Sequence, residues 1–150
     1  MVEKKKKLKN KKTIAKPKSI PFSDKKIIGL VEKVKITGSK GTVETEALLD
    51  TGATYSSVDL KIAARAGLGP ITRTMKVKSQ TEPRGYARRA VVKGKITLRG
   101  ITKNVSFTLA DREVQSYPVL VGRNVIHSDF VIDVEKTHST HKIEDSKAKK

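Results

Sequence analysis

The chain has 150 residues, 36% of them hydrophobic, with three Phe, three Tyr and no Trp, so it can build one domain around Val, Ile, Leu and Ala but not two ordinary ones. It has no cysteine, which excludes disulfides and thiolate metal sites and suits a reducing compartment; no apolar run approaches the ~18 residues that span a bilayer, and none follows the basic start as in a secretory signal, so a cytoplasmic location without membrane attachment is expected. The net charge of +18 is uneven: residues 1–26 carry eleven Lys against Glu3 and Asp24, residues 27–136 eighteen basic against eleven acidic side chains, and residues 137–150 four Lys against Glu144 and Asp145.

Residues 1–20 have little to bury and read as a disordered, Lys-rich tail. Such a tail is either a solvated extension or an electrostatic arm for RNA, the ribosome or another polyanion. No aromatic residue precedes Phe22, so an arm of this kind cannot stack on bases, and its binding would be sequence-blind and salt-sensitive.

An ordered domain is expected over 21–136, followed by a polar tail over 137–150. Residues 27–36, "IIGLVEKVKI", alternate loosely as a strand; "TGSKG" at 37–41 is a turn; 42–49 is the second strand of a hairpin ending at Asp50. In "VDLKIAARAGL" the period changes to that of a helix, with Asp59 as its cap, Gly67 at its exit, and Leu60, Ala63 and Ala64 on one face. Residues 74–79 alternate as a short strand. Residues 80–89, "QTEPRGYARR", read as a loop or mobile hairpin tip. "AVVKGKITL" and "VSFTLA" read as strands around the turn "RGITKN", with Val105, Phe107 and Leu109 on one face. "YPVLVG" is a short apolar run, "RNVI" a single helical turn, and 129–135 a last strand. The sum is a mostly-β domain with one or two short helices, and short strands joined by Gly-containing turns favour a closed barrel or sandwich.

The hairpin ends in an unusual way. The apolar run Ala47-Leu48-Leu49 delivers a single carboxylate, Asp50, followed at once by Thr51, Gly52 and Ala53. A carboxylate at the end of a buried strand is unfavourable unless hydrogen-bonded or paired. Thr51 offers a hydroxyl, Gly52 permits a close backbone approach, and Ala53 leaves room in front of the acid. These residues describe an acid placed to meet something.

"LLDTGA" and "VLVGRNVI", with Gly122 lying 72 positions after Asp50, together resemble the retropepsin-type aspartic peptidases. In that family an Asp-Thr-Gly loop is backed, after a flap hairpin, by a Gly-Arg-Asn segment. The resemblance covers about residues 26–135. "ALLDTGATYSSVD", "RRAVVKGKITLRG", "TLADREVQSYPVLVGRNVI" and "DFVIDVEK" are further similar to a small retropepsin-like family labelled "putative ATP-dependent zinc protease". The chain has neither a His-Glu-x-x-His zinc motif nor a phosphate-binding Gly-x-x-x-x-Gly-Lys loop, so the aspartic-peptidase likeness outweighs that label.

The resemblance implies a retropepsin-like closed β-barrel whose chain is half of an enzyme. Two carboxylates must share a proton, one acting as base toward water and the other as acid toward the carbonyl oxygen. With one Asp-Thr-Gly and no internal repeat, the second acid must be Asp50 of a twin chain across a two-fold axis, with Thr51 bonding across it and Gly52 shaping the loop. Substrate contacts fall to Ala53, to the flap residues Arg84, Gly85 (its hinge), Tyr86 and Arg89, and to Arg123. Arg84, Arg88 and Arg89 make a basic rim suited to acidic peptides. Relatives in the narrower family are associated with ligases that add glutamate to protein termini, which implies processing of glutamate-rich tails. No cofactor or metal is implied: His138 and His141 are spaced like two ligands but lack a third, His127 reads as a packed or surface residue, and Asp133 as structural. Asp111, Arg112 and Arg123 read either as structural partners or as carboxylate binders. Two rival classes stand beside the peptidase. One is a non-catalytic peptide-binding module tethered to RNA or the ribosome by its tail; the other is a nucleic-acid-binding protein, which lacks any base-reading motif.

Overall fold

Two long strands organise the protein. In the computed structural model, which describes residues 20–80, 82–113, 115–137 and 141–142, β1 (Lys26–Gly38) and β5 (Tyr86–Leu98) each span 13 residues. Each divides one of its edges between two partners. The first part of β1 pairs in parallel with β8 (Phe130–Thr137), and residues 34–37 pair with β5. The first part of β5 pairs with β4 (Ile71–Lys78), leaving residues 95–98 for β1. The remaining strands are β2 (Gly41–Leu49), β3 (Ser56–Asp59), β6 (Ile101–Ala110), β7 (Val119–Val121) and β9 (His141–Lys142). Their order is β4-β5-β6-β3-β7-β2-β1-β8-β9, and the β1–β5 pairing closes six of them into a ring. The Lys-rich residues 1–19, His138 and residues 143–150 lie outside the described residues, as do the expectations placed on them. The backbone of His141–Lys142 pairs with Lys136 and Thr137.

The ring encloses the core. Phe107 is its largest fully buried side chain, packed among Val34, Ile36, Ile96, Leu98 and other aliphatic residues, as a chain without Trp requires. Helix α1 (Leu60–Ala66) closes one side. Asp59 caps it by accepting from the Lys61 N–H at 3.0 Å, and Gly67, in the left-handed conformation, ends it. The buried face is Ile62, Ala63 and Ala66, not the expected Leu60, Ala63 and Ala64; Leu60 is 51% exposed. The helix packs this face against β1 and β2, and Leu60, at its first position, lies off it.

Three further differences from the sequence expectations have physical causes. β3, paired with β6 and β7 on its two edges, leaves no alternation in the sequence because all four of its residues are buried. Residues 86–89, expected in a loop, are strand, because β5 continues past the core as a hairpin with β4 and the backbone pairs there without burial. The turn expected over 99–104 shrinks to Arg99 and Gly100, both at positive φ (50° and 79°). This is the two-residue geometry whose twist matches an antiparallel pair, and Ile101 onward is strand. Among the described residues no helix is long and apolar enough to cross a membrane.

Candidate active site

The two sequence motifs lie side by side. β2 and β7 run parallel, with Leu48 beside Leu120 and Leu49 beside Val121, and the Asp50 N–H extends the ladder by donating to the Val121 carbonyl at 2.8 Å. Leu49 is buried, Asp50 is half-buried, and Thr51 and Gly52 are exposed. The chain therefore leaves the core at Asp50 and turns back at once. The Gly52 N–H donates to Asp50 Oδ1 at 2.8 Å, and the Ala53 N–H reaches the Asp50 carbonyl at 3.3 Å. A Cβ on Gly52 would crowd the same Oδ1 at 3.2 Å.

The inner side of this loop rests on Gly122-Arg123-Asn124, where β7 passes into the single turn α2 (Arg123–Ile126). The Arg123 N–H donates to the Ala53 carbonyl at 2.7 Å and the Asn124 N–H to the Thr54 carbonyl at 3.2 Å. The Arg123 guanidinium forks, one arm donating to the Thr51 carbonyl at 2.9 Å and the other to Thr54 Oγ1 at 2.8 Å. Asn124 Oδ1 accepts from the Ser56 N–H at 3.0 Å and from Ser56 Oγ at 2.7 Å, while its Nδ2 donates to the Ser106 carbonyl at 2.9 Å. Ser56 Oγ in turn accepts from the Gly122 N–H at 3.0 Å. A side chain at 122 would not fit, since its Cβ would lie 2.5 Å from the Tyr55 carbonyl oxygen and 2.8 Å from that of Ala53. The Asn124 side chain thus ties Ser56, at the end of the carboxylate loop, to β6, while its main-chain N–H holds Thr54.

A cleft of about 450 Å³ runs beside the loop, in the size range of ligand sites. Loop residues 52–55 form part of its wall, and residues 75–78 and Arg89 of the β4–β5 hairpin form another. Lys76, Lys78, Arg89 and Arg112 line it; among the described residues no carboxylate does. Arg112 is tied down by its own N–H, which donates to Asp59 Oδ1 at 2.8 Å, and by its Nε, which donates to the Tyr117 carbonyl at 3.0 Å. Burial lowers its guanidinium below the ordinary arginine value, the neighbouring Arg89 adds to that, and Asp59 acts in the opposite direction.

Of the residues expected to act on a substrate, Gly52, Ala53 and Arg89 line this cleft, and Asp50 and Thr51 belong to the same loop. Arg84, Gly85 and Tyr86 sit at the hairpin tip instead. Arg84 and Gly85 are exposed, Gly85 has a φ of 78°, and Tyr86 packs its ring against the Lys76 ammonium at 4.6 Å. Arg123 lies beneath the loop with both arms engaged. Ser56, Ser57 and Asn124 were not singled out by sequence. The run of hydroxyls after Ala53 and the Asn of the Gly-Arg-Asn segment were the available signals. His127 is exposed and its Nδ1 is 2.7 Å from Ser128 Oγ. Asp133 accepts from the Glu135 N–H and pairs with Lys136. Among the described residues no three His, Asp or Glu side chains gather as metal ligands.

Comparison with known proteins gives the site a context. A family model described as "RimB-like: Retropepsin-like aspartic endopeptidase RimB" matches residues 61–143, more than half of the chain. The match begins after the Asp50 loop and includes the Gly-Arg-Asn segment. No curated protein matches by sequence. Among solved structures, a Legionella pneumophila protein of unknown function, Lpg0085 (DUF785), is 24% identical and superposes with a TM-score of 0.53 over 77% of this chain and 98% of its own. The protease of simian foamy virus is 17% identical, with a TM-score of 0.47 over 64% of this chain and 90% of its own.

Proposed function

The chain belongs to the RimB-like family of retropepsin-like aspartic endopeptidases, and on that premise we propose that it hydrolyses peptide bonds with two Asp50 carboxylates, one from each protomer of a two-fold homodimer. The observation that carries this reading is the loop itself. Asp50 ends a buried strand where Thr51 and Gly52 are open to the outside, while Arg123 and Asn124 fix the inner side. A rigid inner side and an open outer one suit a carboxylate whose partner comes from elsewhere. The chain carries one Asp-Thr-Gly, so the partner is a second copy.

In this mechanism a water lies between the two acids. One carboxylate takes its proton as the oxygen attacks the scissile carbonyl carbon, and the other, protonated, gives its proton to the carbonyl oxygen. The tetrahedral intermediate collapses when the leaving nitrogen is protonated, and the C–N bond breaks. Arg123 is a positioning residue, since it holds the Thr51 carbonyl and the Thr54 hydroxyl and touches no reacting atom. The β4–β5 hairpin covers the peptide as a flap with Gly85 at its tip, and residues 21–136 are the peptidase domain. The cations of the cleft favour acidic peptides, such as glutamate-rich tails, over neutral ones.

The test is the Asp50→Asn protein beside the wild type, sized by light scattering and assayed on a peptide library containing acidic sequences. The reading predicts a dimer in both and cleavage only in the wild type. Cleavage by the Asp50→Asn protein would end it, and a dimer that binds peptides without ever cutting them would make the protein a binding module.

A further inference from the structure

We propose that Arg89, Arg112 and Ser57 form a pocket that receives one carboxylate of the bound peptide. The inference rests on the peptidase reading for its ligand; it adds Ser57 and joins it to two of the cleft's cations as one subsite. Ser57 lies on β3, between Leu120 on β7 and Thr108 on β6. Strand alternation turns its side chain away from the face where Ser56 meets Asn124. It is 7% exposed, lines the cleft, and its Oγ has no hydrogen-bond partner among the described residues. Arg89, on the hairpin across the cleft, is in the same condition, with a buried and unpartnered Nε.

Buried polar atoms are normally satisfied, and two left open on the wall of one cleft point to a ligand that satisfies both. Its charge follows from the surroundings. Arg89 and Arg112 lie close enough to repel one another, and neither has a salt-bridge partner among the described residues. Asp59, the acid that acts on Arg112, already accepts from the main-chain N–H groups of Lys61 and Arg112, one on each oxygen, and makes no salt bridge with its guanidinium. The ligand group is therefore an anion that accepts several hydrogen bonds. On a peptide this is a carboxylate, either an Asp or Glu side chain or the C-terminus. A guanidinium fork and a hydroxyl donor match its two oxygens. Lys76 and Lys78 line the same cleft and add attraction without fixed geometry.

The test measures binding of fluorescein-labelled octapeptides to the full-length Asp50→Asn protein by fluorescence anisotropy. One arm uses C-terminally amidated peptides that differ by Glu or Gln at one position at a time; the other compares a free C-terminus with an amidated one. The pocket predicts that at one position, or at the C-terminus, the carboxylate form binds about tenfold tighter than its amide. That preference should collapse to about threefold or less in Arg89→Gln and Arg112→Gln. Ser57→Ala guards against misfolding, because the hydroxyl makes no hydrogen bond within the described protein. It should weaken the preference while the melting temperature stays within about 2 °C. Equal affinity for acid and amide in every peptide would overturn the pocket, as would a preference that survives all three substitutions. Binding is read without turnover, so the two readings fail separately. A carboxylate preference in a protein that never cleaves overturns only the peptidase, and cleavage with no preference overturns only the pocket.

Discussion

Replacing Asn124 with Ala should unlock the carboxylate loop. The side chain accepts from the Ser56 N–H and Ser56 Oγ and donates to the Ser106 carbonyl, with distances of 3.0, 2.7 and 2.9 Å. Each such bond contributes about 1 kcal/mol net, and the Ser56 N–H, on a buried strand, would be left unsatisfied at a cost of about 1–3 kcal/mol. Because the three bonds share the Asn124 side chain, and two of them also share Ser56, they do not add in full, and a loss of about 2–4 kcal/mol is expected. For a chain of this size that lowers the melting temperature by about 10 °C, measurable by circular dichroism. Asn124→Asp should do no better. It keeps both acceptor bonds but turns the Nδ2–H···O=C contact with Ser106 into oxygen facing oxygen. The substitution should also abolish peptide hydrolysis at temperatures where the protein is still folded, because Ser56 links Asn124 to Gly122. If Asn124→Ala melts within about 2 °C of the wild type, the network is not what holds the loop.

Two other substitutions probe the same support from different sides. Arg123→Gln should lower kcat about tenfold or more and the melting temperature by less than about 4 °C, since the arginine is exposed and its two bonds go to the loop alone; Arg123→Lys should not restore the rate, because one ammonium cannot serve both acceptors in the guanidinium's geometry. An unchanged kcat in either variant would show that the fork is idle. Gly122→Ala forces a Cβ against backbone atoms at 2.5–2.8 Å; it should destabilise by about 1–3 kcal/mol in urea unfolding and displace the loop enough to end hydrolysis, and wild-type behaviour would mean that the loop moves aside freely.

The sequence makes legible those parts whose chemistry is local. Asp59 and Gly67 mark the ends of α1 because capping needs those residue types at those places. Asp50 stands out because an acid following Ala47-Leu48-Leu49 breaks a buried run. β3 stays hidden because burial of all four residues erases alternation, and the outer end of β5 because pairing away from the core leaves no hydrophobic trace. The polar residues of the cleft are the hardest to read. Ser57 comes from β3, Arg89 from the hairpin and Arg112 from the segment after β6, and only the pairing of β6 with both β5 and β3 brings them to one cleft. A serine beside another serine carries no sign of which is satisfied and which is open.

The claim on which the account depends is that two chains share one site. Wild-type and Asp50→Asn chains, refolded together from urea in varied proportions at constant total concentration, test it through peptide hydrolysis. If the acid pair spans the dimer, mixed dimers are inactive and activity follows the square of the wild-type fraction, falling to about one quarter at an equal mixture. If each chain cleaves with its own residues, activity follows the fraction itself and stays near about one half, and the shared-acid mechanism is wrong.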